Sequence, residues 1–475
     1  MSKSLRTLSF AIGALLGLLA LGAAALLLFL DVNAHKPRLE AAASGALGLD
    51  VSVGGRLGID FFPGLLVTLD DVHIRNRGAD VASAKQAKLW VDFLPLLQNQ
   101  VRIGKIALEQ PRITIERDRE GRFNFEKPEV IGGTLPALDL ARVDLSGGTL
   151  VYADKQSGQG FEAGDCSLVM SRLSLSERAR PGTLKDLSLA AELACGEVRT
   201  RYYAASGLKL SVTGRNGIFD LKPVTLSLFG GQGSGSLRAD FVGVVPLYQV
   251  RYALSRFHIE ELLKTLPPQK LAAGSMDLSA DLSMAGKTAH ELRRTARGHI
   301  TLRGKNLTLE GRDLDRALAR YESSQNFNLV DVGAYIFTGP FGLVVTKGYD
   351  FARIFQGSGG RSEIRTLVSE WKVEKGVAQA EDVAMATNEN RIALRGGLDL
   401  ANERFDEVTV ALIDAKGCAK LRQTIRGTFQ KPVVEKPSTL KSLTGPVLKL
   451  FNKVRGVFPG GECEVFYAGS VAPPK

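Results

Sequence analysis

The residues whose chemistry the sequence constrains most are four cysteines: Cys166, Cys195, Cys418 and Cys463. They form no CxxC pair and have no histidine close by, so a metal site is not expected. An even count suits two disulfides in an oxidising compartment. Of the three possible pairings, the nearest-neighbour one, Cys166–Cys195 and Cys418–Cys463, is expected. Each bridge would close a modest loop and add roughly 2–4 kcal/mol, mostly through the unfolded chain. Other chemical signals fail on spacing. Gly286-Lys287-Thr288 matches the end of a phosphate loop, but Asp281 stands where the first glycine is needed. The stretch Gly231-Gln232-Gly233-Ser234-Gly235 matches a dinucleotide loop only in part. Ser236 replaces its third glycine, and no helical pattern follows. A hairpin turn is the expected reading of both. No G-x-S-x-G surrounds a serine. His35, His73, His258, His290 and His299 lack H-E-x-x-H spacing. The acidic residues form no recognisable pair. The expectation is a protein that is not an enzyme, with no catalytic residue, cofactor or metal.

The elements that must carry these residues begin with a membrane signal. Ser9 to Leu30 contains no charge, and only Lys3 and Arg6 are charged before it. As a helix the run spans roughly 33 Å, enough for the hydrocarbon core. It is too long for the apolar core of a cleaved leader, so an uncleaved anchor with a cytoplasmic N-terminus is expected. No second apolar run of that length follows. Lys and Arg number 61 against 50 Asp and Glu. This mildly basic balance suits an anionic lipid surface. Nucleic acid is not expected as a partner, because aromatics do not interleave with basic clusters.

After the anchor, Asn33 as cap, Pro37 in the first turn and Gly48 as stop mark a helix, with Leu39, Ala42, Ala43, Ala46 and Leu47 on one face. The period then changes to two. Val51 and Val53, Leu57 and Ile59, Val67 and Leu69, Val72 and Ile74 alternate with polar residues. The texture continues through Ile106, Leu108, Ile113 and Ile115, then Leu208, Leu210 and Val212, Ile300 and Leu302, and Val408, Val410 and Leu412. It reads as many short antiparallel strands with one apolar face. Gly54-Gly55, Gly147-Gly148, Gly230-Gly231 and Gly396-Gly397 are expected at hairpin breaks. Short helices are expected over Ile259–Leu266, Asp313–Tyr321 and Ser442–Phe458. The last is apolar on one side and basic on the other. It suits either a membrane surface or a cap on the end of a sheet. The apolar strand face likewise suits either a dry core between sheets or an open groove.

The segment from Val32 to Asn76 resembles the N-terminal signature of the AsmA family, through Asp50, Val51, Val53, Gly55, Leu57, Phe61, Phe62, Pro63, Leu69, Val72, Ile74 and Asn76. Leu108, Pro111, Ile113, Ile115, Asp118, Gly121 and Asn124 fit its next strand pair. Leu271–Gly286, Gly298–Leu318, Gly427–Pro432 and the tail Cys463–Val471 are similar to its C-terminal repeat. The resemblance covers most of the chain and is weakest around 130–260. It implies an inner-membrane anchor, a periplasmic body and a likeness to chorein-type bridge-like lipid transfer proteins. It also implies a role in phospholipid supply or protein assembly at the outer membrane.

The resulting expectation is a mainly β fold, a long twisted antiparallel sheet or gutter with few short helices, preceded by one N-terminal transmembrane helix. Five regions are expected: the anchor at 1–30, a chorein-like β region at 31–130, a middle β region at 131–270, a C-terminal β region at 271–432, and a helix with a disulfide-tied tail at 433–475. Lipid-groove candidates are Val51, Val53, Leu57, Ile59, Val67, Leu69, Ile300 and Leu302, with Phe61-Phe62-Pro63 either a rim contact or a core turn. Expected partners are phospholipid, the inner membrane and outer-membrane or periplasmic assembly proteins. The alternative function is a scaffold that assists outer-membrane β-barrel proteins by strand pairing at an exposed edge.

Overall fold

A computed structural model describes residues 36–60, 65–92, 103–126, 138–175, 185, 187–264, 272–311, 313–324, 360–435, 438–439 and 463–474. The expected anchor, Phe61-Phe62-Pro63 and the helix expected over Ser442–Phe458 lie outside these residues. Among the described residues no helix is long and apolar enough to cross a membrane. The chain is mainly β with few short helices, and it divides into two compact units, one of residues 1–228 and 234–248, the other of residues 229–233 and 249–475.

The first unit opens with helix α1 (Lys36–Leu47), which stops at Gly48. Gly48 takes φ +64° and its amide bonds back to the Ser44 carbonyl, the left-handed stop that glycine allows. Strands β1 (Asp50–Val53) and β2 (Leu57–Asp60) pair end to end along β3 (Leu65–Asn76). Then β4 (Ala79–Val91) pairs with β3, and β5 (Ile103–Glu109) and β6 (Arg112–Arg117) pair end to end along β4. Strand β7 (Leu138–Asp154) runs parallel to β5 and β6, so this sheet is mixed rather than antiparallel throughout. The antiparallel strands β8 (Gln159–Leu175), β9 (Leu187–Thr200), β10 (Ala204–Arg215) and β11 (Ile218–Leu228) follow. Next come β12 (Gly231–Asp240) and β13 (Leu247–His258), which run on into the second unit.

That second unit contains α2 (Ile259–Leu263), β14 (Ala272–Ala273), β15 (Ser275–Ala285), α3 (Ala289–Thr295), β16 (Arg297–Glu310) and α4 (Leu314–Ser324). It continues with β17 (Arg361–Glu374), β18 (Val377–Ala386), β19 (Arg391–Asp399), β20 (Arg404–Ile413) and β21 (Ala419–Thr428). Two short strands, β22 (Pro432–Val434) and β23 (Ser438–Thr439), share the outer edge of β21. Strands β15 to β21 pair antiparallel, each with the next.

The glycine pairs behave differently from the expectation. Only Gly230-Gly231 lies at a hairpin turn, between β11 and β12. Gly54-Gly55 separates β1 from β2, whose amides still bond to Asp71 and Asp70 of β3. Gly147-Gly148 sits inside β7, facing the Gln110-Pro111 break between β5 and β6. Gly396-Gly397 sits at a register shift inside β19. Glycine here serves bulges that bend long strands, and a side chain at Gly396 would meet the Glu407 carbonyl at 2.5 Å. Two expected turns are also corrected. Gly231–Gly235 lies within β12, and Gly286-Lys287-Thr288 leads into α3. Thr288 Oγ1 accepts from the Glu291 amide at 3.2 Å, and the Glu291 carboxylate accepts from the Lys287 amide at 2.7 Å. That is close to a reciprocal capping box. Helix α2 stops at Leu263, three residues short of expectation, and α4 starts one residue late.

Both expected disulfides form, Cys166–Cys195 across β8 and β9 and Cys418–Cys463 between the residue preceding β21 and the tail. The tail is also held by polar groups. Arg391 is buried, and its guanidinium donates to the Val471 and Asp414 carbonyls at 2.9 and 2.6 Å. Its face lies over the Tyr467 ring, whose hydroxyl donates to Asp382.

Candidate functional site

In a β-sheet, residues paired across neighbouring strands share a face, so a row of such pairs shows what that face offers. In the first unit one row runs Ile59, Val67, Leu89, Ile106, Val143, Met170, Ala191, Val212 and Leu221. A second runs Leu57, Leu69, Ala87, Leu108, Leu145, Leu168, Leu193, Leu210 and Val224. A third runs Val51, Ile74, Ala82, Ile113, Leu150, Ala163, Val198, Ala205 and Leu228. Each row crosses nine strands without a polar member, a path of roughly 38 Å at about 4.8 Å per strand. Register makes this possible: a slip of one residue in any strand would put its polar set into the row. The split strands and bulges keep the three rows aligned. The Cys166–Cys195 bridge packs with Ala163 and Leu193 on the same face.

Cover changes along the rows. Val51, Leu57, Val67 and Leu69 are buried, and Ala43 of α1 belongs to the same cluster. Further along, Leu108, Leu145, Leu168, Met170, Leu193, Leu210 and Leu221 are only half-buried. Apart from Leu108 this open stretch falls within 130–260, and none of the sequence candidates lies in it. Its signal was alternation such as Leu208, Leu210 and Val212; cross-strand register, which lines the strands into rows, is not readable from one strand. At the end of the rows Phe219, Phe241 and Tyr248 stack edge to face, with centroids 5.8 and 5.9 Å apart.

The structure places six of the eight candidates in this unit: Val51, Val53, Leu57, Val67 and Leu69 in the buried cluster and Ile59 half-buried against it. The other two, Ile300 and Leu302, lie in the second unit and do not join the rows. Ile300 pairs with buried Trp371 and Leu302 with buried Ser369, whose Oγ accepts from the Trp371 indole at 2.7 Å. Buried Gln423 and Arg391 also lie among these strands. The second unit's strands β17–β21 therefore form a packed core with internal polar groups, unlike the open rows of the first.

The outer edge of β1 is closed to further pairing. The Val51 amide donates to Ser44 Oγ at 2.9 Å and the Val53 amide to Glu40 Oε1 at 2.7 Å, while Lys36 Nζ reaches the Gly55 carbonyl. Helix side chains thus satisfy the groups an incoming strand would need. Among the described residues no cluster of three His, Cys, Asp or Glu side chains could hold a metal ion. His73 contacts Asp71 at 2.9 Å, and His299 lies 4.0 Å from Glu381 on the surface.

A strand ladder with a long apolar face, half open and, among the described residues, without an assembled polar centre, defines a β-protein built around a hydrophobic surface. The AsmA family model matches residues 1–177 and 136–335, and the chain belongs to the AsmA family. The family is membrane-associated, and its large β-sheet fold is compatible with an outer-membrane-related role. A search of curated proteins finds no match, and neither does a search of solved structures.

Proposed function

We propose that this protein is a non-enzymatic phospholipid carrier or organiser, anchored in the bacterial inner membrane with its body in the periplasm, and that it supports the outer membrane. The observation that carries this reading is the set of three unbroken apolar rows, whose larger members over β7–β11 are mostly half-buried while Val143 and the alanines Ala163, Ala191 and Ala205 are buried. Each acyl CH₂ moved from water onto such a face gains about 0.8 kcal/mol. Headgroups would stay in solvent, and no residue needs to perform chemistry. Strand-pairing assistance to outer-membrane barrels gains no support from β1, whose edge is already occupied by Glu40 and Ser44.

The test is photo-crosslinking in cells with the full chain. A photoreactive side chain at Leu221, on the open face, should give a lipid adduct by mass spectrometry. The same group at exposed Lys222, on the other face, should not. Equal labelling at both positions, or none at Leu221 in folded protein, would reject a lipid-carrying face.

A further inference from the structure

The connection between β12 and β13, together with the first residue of β13, carries four exposed apolar side chains: Val242, Val244, Val245 and Leu247, with Val244 85% exposed. Both ends of this connection are firmly set. The Phe241 amide bonds to the Gly217 carbonyl at 2.8 Å, and its ring turns inward between Phe219 and Tyr248. The Val242 amide donates to Asp240 Oδ1 at 2.8 Å. The apolar tip is thus presented outward by an ordered frame and buries little of itself. Two cations flank it. Exposed Lys185 and Val242 both pack around Gly217, and exposed Arg215 opens the same β10–β11 turn. Neither cation has an ion-pair partner among the described residues.

The position of this tip on the unit identifies what it meets. Following the registers, the ends at Asp60, Leu65, Val91, Ile103, Arg215 and Asp240 all lie on one edge of the sheet. Helix α1 runs antiparallel to β1, with Lys36, Glu40 and Ser44 meeting Gly55, Val53 and Val51 in turn. Its N-terminus therefore points toward that same edge, and in the sequence the uncharged run Ser9–Leu30 precedes it. A tip of aliphatic side chains flanked by cations, on the edge toward which the N-terminus of α1 points, fits an anionic bilayer surface.

We propose that the Val242–Leu247 tip inserts into the interfacial region of the membrane that holds the anchor, so that this edge of the first unit lies along the bilayer. Strands β2 to β5 and β7 to β12 would then meet the membrane by their ends on this edge, while β1 and β6 lie away from it. This attachment rests on the inner-membrane anchor proposed above, but it does not depend on lipid occupying the apolar face.

The test uses the full chain in vesicles of neutral and anionic phospholipid. The four native cysteines are paired, so Val244→Cys offers a single thiol for an environment-sensitive fluorophore. Tyr202→Cys, on the exposed β9–β10 turn at the opposite edge, is the comparison. Circular dichroism confirms folding of both. The expected result is blue-shifted emission at position 244, quenched by nitroxide-labelled lipid, with solvent-like emission at 202. Lys185→Glu with Arg215→Glu should weaken the quenching, since each cation near an anionic surface is worth about fivefold in occupancy. Solvent-like emission at 244 would overturn the proposal. So would a blue shift that lipid nitroxides do not quench, which would mean burial against protein, or equal quenching at 244 and 202.

Discussion

Tyr467 shows how single groups hold the tail. Burial first, and then its hydrogen bond to Asp382, push the phenol well above its ordinary pKa. The hydroxyl also accepts from the Val471 amide at 3.0 Å, so one oxygen joins strand β18 to two parts of the tail. Tyr467→Phe removes both bonds and leaves a carboxylate less satisfied, at a cost of about 1.5–3 kcal/mol in chemical denaturation. The pH dependence follows from the raised pKa. Below about pH 10 the phenol is protonated in both states and its contribution is complete. As pH rises past that value the unfolded chain ionises first, and the contribution is lost. The stability gap between the native protein and Tyr467→Phe should therefore hold at neutral pH and shrink above pH 10. A gap that widens there would mean the phenol is not held protonated. None of this network was legible in the sequence, because Asp382, Arg391 and Tyr467 are brought together only by pairing of β18 with β19 and docking of the tail.

At the scale of elements, the sequence was informative where a local rule decides and silent where a partner strand does. Helix α1 was legible because Gly48 stops it, and the cysteine pairing followed from nearest-neighbour order. The α3 helix was equally legible and was missed: Thr288-Ala289-His290-Glu291 is a capping pattern, but the glycine before it invited a turn. Thr288→Ala should cost about 1 kcal/mol, read as a lower melting temperature for the full chain. The three other glycine pairs could not be told from hairpin turns, since a bulge is defined by the strand across from it. The capped edge of β1 makes a sharper claim. Glu40→Ala leaves the Val53 amide without its acceptor, so hydrogen exchange should accelerate at Val53 and Val51. Exchange at Leu89, in the covered part of the sheet, should not change. Uniform acceleration would mean that Glu40 supports the whole unit rather than the edge.

Over the molecule as a whole, the question is which apolar residues are core and which are available surface, and alternation alone cannot separate them. Leu69 and Leu221 illustrate this. Both alternate with polar neighbours, and both belong to the same cluster on one face, yet Leu69 is fully buried and Leu221 is half-buried. A charge at Leu69 would be enclosed without a partner, so Leu69→Asp should cost about 3–5 kcal/mol and lower the melting temperature sharply. Leu221→Asp keeps its carboxylate within reach of water and should leave the fold within about 1 kcal/mol of the native protein. The two variants should separate again in lipid labelling from a photoreactive group at the neighbouring row position Val212. Leu221→Asp should lose most of the adduct while staying folded, because a charge on the path of an acyl chain is poorly tolerated. If Leu221→Asp folded and labelled like the native protein, the open rows would be surface without cargo. If it unfolded as readily as Leu69→Asp, the rows would be core along their whole length. Only the combination of an intact fold and lost labelling fits a face that is stable without lipid and receptive to it.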